Sequence, residues 1–433
     1  MSTVVVGAGL AGLAAARKLQ AAGEEVVVLE ATSRVGGRTR TERDRLRHGQ
    51  PADLGGSFID LGQNRILRAC AEFGVKLTPT MNLLRPGPDG RVDIASVLEN
   101  TVVCQGRRLT PEESAKVADE VRAALNAVPP VATESIASWT ARARLSPLAR
   151  TLVRAQAGAN PVHEPEETPM STIHPPHSGK TCWMIPGGAD ALATAMAAGL
   201  DIRFGQVVRS IRQNQETFET TVKTASAEFT TANVIVATPV TPTRRISFDP
   251  VLPEWKTQAL LTTSMSQGGK VAGQYAGGTE LRRRLGTTVT SDGPISFAWA
   301  GEPGEHDTVV VYGLVPDLSD GFLRDEDRAL AALDDLVRVA SGTEPERLSG
   351  VLQDWTRDEY AGGVVSCPMA DFPRLPALLA RAVGWGRIHF AGEHTAEHWV
   401  SSMDGALRSG DRAADEVLLQ RSLTPTAWRK TAT

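Results

Sequence analysis

Val4 to Val6 is a short, β-branched apolar run that ends at Gly7, the pattern of a buried strand. From Leu10 to Ala22 the chain turns rich in alanine and leucine, with Arg17 and Lys18 to one side, and Gly23 stops the run; this predicts a helix. Glu25 to Glu30 is apolar again and predicts a second strand, so the chain opens as a βαβ unit. Glycine-rich turns follow (RVGGRTR, then DLGGSF) before a helix around QNRILRACAEFG.

From about Pro79 to Cys182 the pattern changes to Pro- and Gly-broken turns and helical stretches such as PEESAKVADEVRAALNAV, with little alternation. Alternation returns in IRFGQVVRSIRQ and in FETTVKTASAEFTTANVIVATP, which predict hairpins running into a buried strand. Beyond Ser247 a sheet-like part (TVVVYGLV) precedes the helix DEDRALAALDDLVRVA. The last block is a strand, RIHFAGE, and a helix, MDGALRSGDRAADEVLL. The expected fold class is mixed α/β: a Rossmann-like dinucleotide domain interleaved with a domain of mixed sheet and helices. Residues 1–78, 183–246 and 352–421 are assigned to the first, 79–182 and 247–351 to the second, and 422–433 form a polar tail.

Composition narrows the class. The 433 residues can bury a sizeable core, and a formal net charge of -4 advertises neither nucleic acid nor an anionic membrane as partner. Cys70, Cys104, Cys182 and Cys367 form no CxxC pair and are too sparse for a disulfide framework, which suits a reducing compartment. The first apolar run has no basic region before it and is broken by glycine, and no apolar stretch approaches the roughly 18 residues of a membrane span. A soluble, cytoplasmic protein without a membrane anchor is expected.

The opening unit carries the first chemistry. Gly7, Gly9 and Gly12 fill the spacing GxGxxG: one glycine for a tight turn, one for approach of the backbone to a pyrophosphate, one for packing of the helix on the strand. The helix N-terminus offers free N–H groups and the positive end of its dipole to phosphates. Glu30 ends the second strand about 20 residues on, placed to accept from ribose hydroxyls and to disfavour a ribose 2′-phosphate. ATSRVGGRTRT then adds two glycines with Arg34, Arg38 and Arg40, and DLGGSF adds two more. A nicotinamide does not need this second cradle; a larger cofactor running deep into the protein does.

Two histidine patterns are weighed and set aside as metal sites. HTAEH at 394–398 matches H-x-x-E-H, but that arrangement needs both histidines on one helix face, and this stretch lies between AGE and the C-terminal helix. His174 and His177 in IHPPH are separated by two prolines, which preclude a helix and point to a loop.

GAGLAGL, LEATSRVGGRTRT, DLGGSF with QNRILR, PGGADALA, VIVATP and HFAGEHTAEHWVSSMDGALRSGDRAADEV together resemble the flavin-containing amine oxidase family, which includes monoamine, polyamine and L-amino-acid oxidases. The resemblance covers roughly two thirds of the chain and leaves out about 85–180. It implies that Gly7, Gly9, Gly12, Glu30, Arg38, Gly56 and Ser57 hold FAD, that Val208 packs on the adenine edge through its backbone, and that Gly392, Glu393 and Met403 line the flavin. The helix beginning near Met403 would aim its N-terminus at the pyrimidine end of the ring system. Lys270, in SMSQGGKVAGQ, stands where the family keeps a lysine that assists reaction with oxygen; Trp355 matches a tryptophan near the flavin, or is a core aromatic.

The pattern departs from the family at the pocket. Gly362–Gly363 is followed by Val364, where monoamine oxidases keep a cysteine that bonds the flavin, so non-covalent FAD is expected. The two aromatic positions that face the amine correspond to Val365 and Ser402, with Trp399 as a nearby substitute. The resemblance implies an oxidase of amine C–N bonds, passing a hydride from the substrate α-carbon to flavin, with oxygen reduced to hydrogen peroxide. A flavin-dependent desaturase or dehydrogenase of a larger or cyclic substrate, an L-amino-acid oxidase, and a flavin-binding module without turnover remain as alternatives. The expected partners are a small-molecule amine and oxygen; a homodimer is left open.

Overall fold

In the computed structural model, residues 2–80, 94–131, 133–159, 163–170, 182–317, 321–367 and 374–423 are described. His174, His177 and all but the first residues of the polar tail lie outside them. The strand Ser2–Val6 sits at the centre of a five-stranded sheet whose order is Asp201–Arg203, Glu25–Leu29, Ser2–Val6, Asn233–Val236, Ile388–Phe390. Every pairing in it is parallel. A parallel sheet covered on both faces wants unbroken apolar strands, and Val4–Val6 and Val234–Val236 are fully buried. The first helix runs Leu10–Ala21, one residue short of the expected end, and the second strand ends at Leu29.

The closing helix, Met403–Leu423, lies directly against Leu10–Ala21. A Cβ on Gly410 would overlap the carbonyl oxygen of Ala11, so the two helices meet backbone to backbone. Beside this sheet, Glu228–Thr231, Thr220–Thr224, Val208–Gln213 and Ser247–Asp249 form a four-stranded sheet, with the expected hairpins.

A seven-stranded sheet makes the other half: Arg347–Asp354, Gly268–Ala276, Thr308–Pro316, Phe297–Ala300, Val289–Ser291, Thr101–Cys104, Arg107–Arg108. Its central strands alternate between two buried faces. Val271, Tyr275, Val309 and Val311 pack under the helix Glu326–Ser341 through Leu330, Leu333 and Val337. Ala272, Phe297, Trp299, Val310 and Tyr312 turn the other way, onto Leu46, Leu54 and Val97. The two-residue period therefore sends Lys270 to the face of Ala272, toward the nucleotide half.

Thr101–Cys104 and Arg107–Arg108 belong to this sheet although they lie in the stretch that shows little alternation. All four residues TVVC are buried, so no polar position marks a face. The helices Pro111–Ala127, Ile136–Arg142 and Pro147–Ala159 pack around buried Trp139, whose indole N–H donates to the Val128 carbonyl at 2.8 Å. Among the described residues no helix is long and apolar enough to cross a membrane.

Candidate active site

The turn after the first strand is shaped by what its glycines exclude. Gly7 takes φ 103°, a conformation that L side chains rarely adopt. A Cβ on Gly12 would overlap the Gly7 carbonyl oxygen, so the helix closes on the turn only without a side chain there. At Gly9, which caps the helix, a Cβ would meet nothing within 4 Å and would project into open space. The Glu30 carboxylate accepts from the Ala8 N–H at 2.7 Å and from the Thr32 N–H and hydroxyl at 2.9 and 2.8 Å. It is thereby fixed at the end of its strand beside the turn, with acceptor capacity left on the oxygen facing Ala8.

The second cradle is a web around Arg38 and Glu393. Arg38 donates to Glu393 at 2.8 Å and to the Val364 carbonyl at 3.2 Å. Glu393 also accepts from the Ser366 N–H at 3.0 Å, the Ser366 hydroxyl at 2.5 Å and the Ser401 N–H at 2.9 Å. Burial pushes this carboxyl up, but Arg38, His394 and Ser366 more than offset that and hold it below its ordinary value. Glu393 borders the cavity, yet its oxygens are committed to protein donors, so it fixes Arg38 and the loops at 366 and 401.

The Arg38 carbonyl lies where a Cβ on Gly55 would sit, which makes Gly55 the steric pivot of DLGGSF; at Gly56 a Cβ would meet Met403 at 3.3 Å. The helix from Met403 is capped by Ser402, whose hydroxyl accepts from the Gly405 N–H at 3.1 Å and donates to the Trp399 carbonyl at 2.6 Å. Its second residue, Asp404, is fully buried and accepts from the Ile66 N–H at 2.8 Å, capping the helix Asn64–Glu72, and pairs with Arg408. Trp399 and Ser401, just before this helix, hold φ of 58° and 65°, a costly backbone for residues with a Cβ.

Lys270 stands opposite. Its ammonium donates to the Gly55 carbonyl at 2.7 Å and to the Ser57 hydroxyl at 3.4 Å, and lies 5.2 Å from the centroid of the Trp299 ring. Burial lowers its pKa to about 8, with Asp53 opposing the fall. Trp299 stacks on Tyr312 at 5.1 Å and meets Phe58 edge-on at 5.3 Å. Trp355 is buried and donates to the Leu54 carbonyl at 2.8 Å.

These groups share one cavity of about 1170 Å³. Gly7, Gly9, Glu30, Arg38, Gly56, Ser57, Val208, Lys270, Trp355, Val365, Gly392, Glu393, Trp399, Ser402 and Met403 line it; of the sequence-predicted residues only Gly12 stands behind the wall. Pockets for drug-sized ligands run to about 300–1,000 Å³, so this one has room for a dinucleotide with a small second molecule. At Val208 the pairing with the neighbouring strand slips between Val208 and Ser210, a bulge that interrupts the ladder at the cavity rim.

Several lining residues are not among those singled out in the sequence. Phe58, Phe297 and Trp299 bring aromatic rings to the wall, although Val365 and Ser402 are aliphatic and polar. Their signal is FAWA, in which Phe297 and Trp299 share a face at spacing two, read against Tyr312 on the neighbouring strand. Gln156 comes from the stretch outside the family resemblance.

The histidines of HTAEH part company: His394 is buried, with burial lowering its pKa to about 4, and His398 is exposed. Among the described residues no group of three or more His, Cys, Asp or Glu is placed to hold a metal. Val364 and Cys367 both border the cavity; burial pushes the Cys367 thiol up to about 12, far from a reactive thiolate.

Comparison with known proteins agrees with this geometry. The family model for flavin-containing amine oxidoreductase matches residues 10–418. Among relatives, AofH of Mycobacterium tuberculosis, a provisionally assigned flavin-containing monoamine oxidase, is 29% identical over 96% of both chains. Human flavin-containing amine oxidase B is 27% identical over 96% of this chain and 85% of its own. An L-amino-acid oxidase of Gloydius blomhoffii is 28% identical over 96% of this chain and 88% of its own. In fold, wild-type putrescine oxidase bound to putrescine superposes with a TM-score of 0.78 at 22% identity, covering 96% of this chain and 99% of that one. Cyclohexylamine oxidase of Brevibacterium oxydans gives 0.78 at 21% identity, covering 97% and 99%.

Proposed function

The chain belongs to the flavin-containing amine oxidoreductase family, and on that premise we propose that it is an FAD-dependent oxidase of small amines that holds its flavin without a covalent bond. The observation that carries this reading is the continuity of one cavity from Gly9 and Glu30, through Arg38 and Gly56, to Lys270 and Trp299. The opening at Gly9, the fixed Glu30 carboxylate and the glycine-only contacts at Gly12 and Gly55 fit a dinucleotide. The chemistry a bound flavin supplies is acceptance of a hydride from the carbon beside the amine nitrogen and return of both electrons to oxygen, giving an imine and hydrogen peroxide.

The protein's own groups do the rest. Glu30 is placed for the ribose hydroxyls, and the N-terminus of Leu10–Ala21 for the pyrophosphate. The N-terminus of Met403–Leu423 presents the positive end of a helix dipole at the cavity wall, where negative charge on the cofactor is favoured. Lys270 keeps a proton and a positive charge at neutral pH in a site otherwise walled by Trp299, Phe297 and Leu314. The aromatic wall shields the reacting amine from water. Those rings supply the aromatic surface that Val365 and Ser402 lack, which supports the oxidase over a desaturase.

The nucleotide half (1–78, 183–246, 352–421) and substrate half (79–182, 247–351) follow the same reading, since the parallel sheet draws its strands from the first set and most of the seven-stranded sheet from the second. Peroxide release across primary, secondary, cyclic and polyamine substrates tests the activity, and no peroxide with any of them refutes it. Acid precipitation tests the cofactor: flavin should appear intact in the supernatant, and flavin left on the precipitated chain would contradict the non-covalent assignment.

A further inference from the structure

Among the described residues five carboxylates border the cavity: Glu30, Asp60, Asp358, Glu359 and Glu393. Glu30 is tied to Ala8 and Thr32, and Glu393 to Arg38. Asp358 accepts from the Tyr360 and Ala361 N–H groups at 3.0 and 2.9 Å. Glu359 is exposed beside Arg245, which donates to its carbonyl oxygen at 3.0 Å. Asp60 is different. It is half-buried, and its carboxylate meets neutral donors, the Gln63 amide at 3.3 Å and the Cys182 thiol. Among the described residues no cation pairs with it, and burial raises its pKa with no positive charge opposing the rise. Arg38 and Arg408 also border the cavity, but they are paired with Glu393 and Asp404.

Local structure aims this carboxylate at the cavity. Ile59 is fully buried in the core around the first helix, so its neighbours Phe58 and Asp60 take the opposite face of the extended chain, and both border the cavity. Cys182, which stands opposite Asp60 on the paired strand, borders it too. Phe58 meets the Trp299 ring edge-on at 5.3 Å. Just past Asp60 the chain turns tightly: the Gln63 N–H donates to the Asp60 carbonyl at 3.1 Å, and Gly62 takes φ 98°. The Trp399 ring fills the space left at Gly62, coming within 3.2 Å of where a Cβ would sit. An aromatic ring therefore stands two residues to either side of Asp60 along the chain.

Such a wall suits a cation. The carboxylate supplies the charge, and the faces of Phe and Trp rings attract an ammonium as well. Leu61, next in the chain, is 51% exposed and borders the cavity, so Asp60 stands near an opening. A charge held there keeps part of its water, which lowers the cost of burying it. At the other end of the same segment the Lys270 ammonium lies 3.4 Å from the Ser57 hydroxyl. It repels a second cation and favours the neutral form of an amine beside it. The three residues from Ser57 to Asp60 span at most roughly 10 Å, a length that a chain of several carbons can bridge.

We propose that Asp60, with Phe58 and Trp399, forms a specificity subsite for a second, positively charged nitrogen, so that the substrate is a diamine oxidised at its neutral end beside Lys270 while its distal ammonium is held at Asp60. The inference rests on the amine-oxidase reading and names the substrate class of that same site. The two protein charges give the subsite a direction: the amino group that has lost its proton goes toward Lys270, and the one that keeps it goes toward Asp60.

The test is steady-state peroxide release from the flavin-loaded enzyme with α,ω-diamines of four to eight carbons, the matching alkylamines, and the same diamines acetylated on one nitrogen. At the preferred length the diamine should exceed both neutral-ended analogues about tenfold or more in kcat/KM, chiefly through KM, the scale of a hydrogen bond to a charged group. Asp60→Asn, which keeps the shape and removes the charge, should erase that preference while flavin content stays at the native level, and Asp60→Glu should keep part of it. Diamines no better than their analogues at every length, or a preference that survives in Asp60→Asn, would overturn the subsite. Loss of flavin from Asp60→Asn would overturn it too, by placing the carboxylate on the cofactor. If Asp60→Asn does not fold, the comparison of each diamine with its acetylated form in the native enzyme decides alone. Neither peroxide nor bleaching of the flavin with any compound would instead remove the amine-oxidase reading beneath it.

Discussion

The ammonium of Lys270 donates to the carbonyl oxygen of Gly55 at 2.7 Å, tying the strand Gly268–Ala276 of the seven-stranded sheet to the glycine loop of the nucleotide half. Burial has already lowered its pKa to about 8, so the charge that faces the cavity is present at neutral pH and lost as pH rises through that value. The rate of flavin reoxidation by oxygen should fall as pH is raised across this window. Lys270→Met should slow reoxidation at neutral pH by tenfold or more and leave it flat with pH, while anaerobic reduction by amine changes far less. Stopped-flow traces of the two half-reactions decide this, and equal slowing of both would assign Lys270 a structural part only.

Gly9 and Gly12 are both glycines of one turn, yet they answer to different constraints. A Cβ at Gly9 would enter open cavity, and a Cβ at Gly12 would strike the Gly7 carbonyl. Gly9→Ala should therefore leave apoprotein stability within about 0.5 kcal/mol of native and weaken flavin binding at least tenfold. Gly12→Ala should unfold at markedly lower temperature even without flavin. Thermal melts of the apoproteins, paired with flavin titration, separate the two, and parallel losses in both variants would contradict the distinction.

Glu393 satisfies four donors at once, one of them charged. In Glu393→Gln the amide nitrogen must face either Arg38 and the Ser366 N–H or the Ser401 N–H and the Ser366 hydroxyl, placing donor against donor. Removing one partner of a buried pair costs about 3–5 kcal/mol, so the melting temperature should drop by several degrees and flavin should be lost on dilution. A variant that melts and retains flavin like the native protein would show the web to be dispensable.

Lys256 is fully buried, donates to the carbonyl oxygens of Leu378 and Leu379, and lies 3.7 Å from the centroid of the Phe390 ring. Burial lowers its pKa to about 7, with Arg412 and Arg381 adding to the fall and Glu416 opposing it. Between pH 7 and its ordinary value near 10.5 the unfolded chain binds the proton that the folded chain has released, so stability should rise with pH in that window. Lys256→Met should reduce the gain between pH 7 and 9 by about 2 kcal/mol. Urea unfolding at the two pH values measures it, and an identical gain in both proteins would place Lys256 outside the titration.

The ends of the chain were legible because their motifs are local. Gly7, Gly9, Gly12 and Glu30 occupy one βαβ unit, where spacing along the sequence is nearly spacing in the structure. Glu393 and Met403 were found through resemblance, but their roles needed coordinates: no local spacing says that Asp404 caps a second helix, the one beginning at Asn64. The aromatic wall was missed because it assembles from three separated segments, Phe58, Phe297–Trp299 and Tyr312, none of which is distinctive alone. The strand Thr101–Cys104 was missed for the opposite reason, since four buried residues have no polar neighbour to show a period.

The parallel five-stranded sheet is sewn from widely spaced pieces of chain, and its last strand, Ile388–Phe390, pairs with Asn233–Val236. During synthesis, Asn233–Val236 therefore waits with an unpaired edge while about 150 further residues emerge, and the helix that packs on Leu10–Ala21 arrives later still. Such an edge invites pairing with other nascent chains, so the yield of folded protein should depend on how fast the stretch between these strands is translated and on chaperones that cover the gap. Ribosomes that stall before residue 388 would release a chain whose nucleotide site is sequence-complete at its front and still has no back wall.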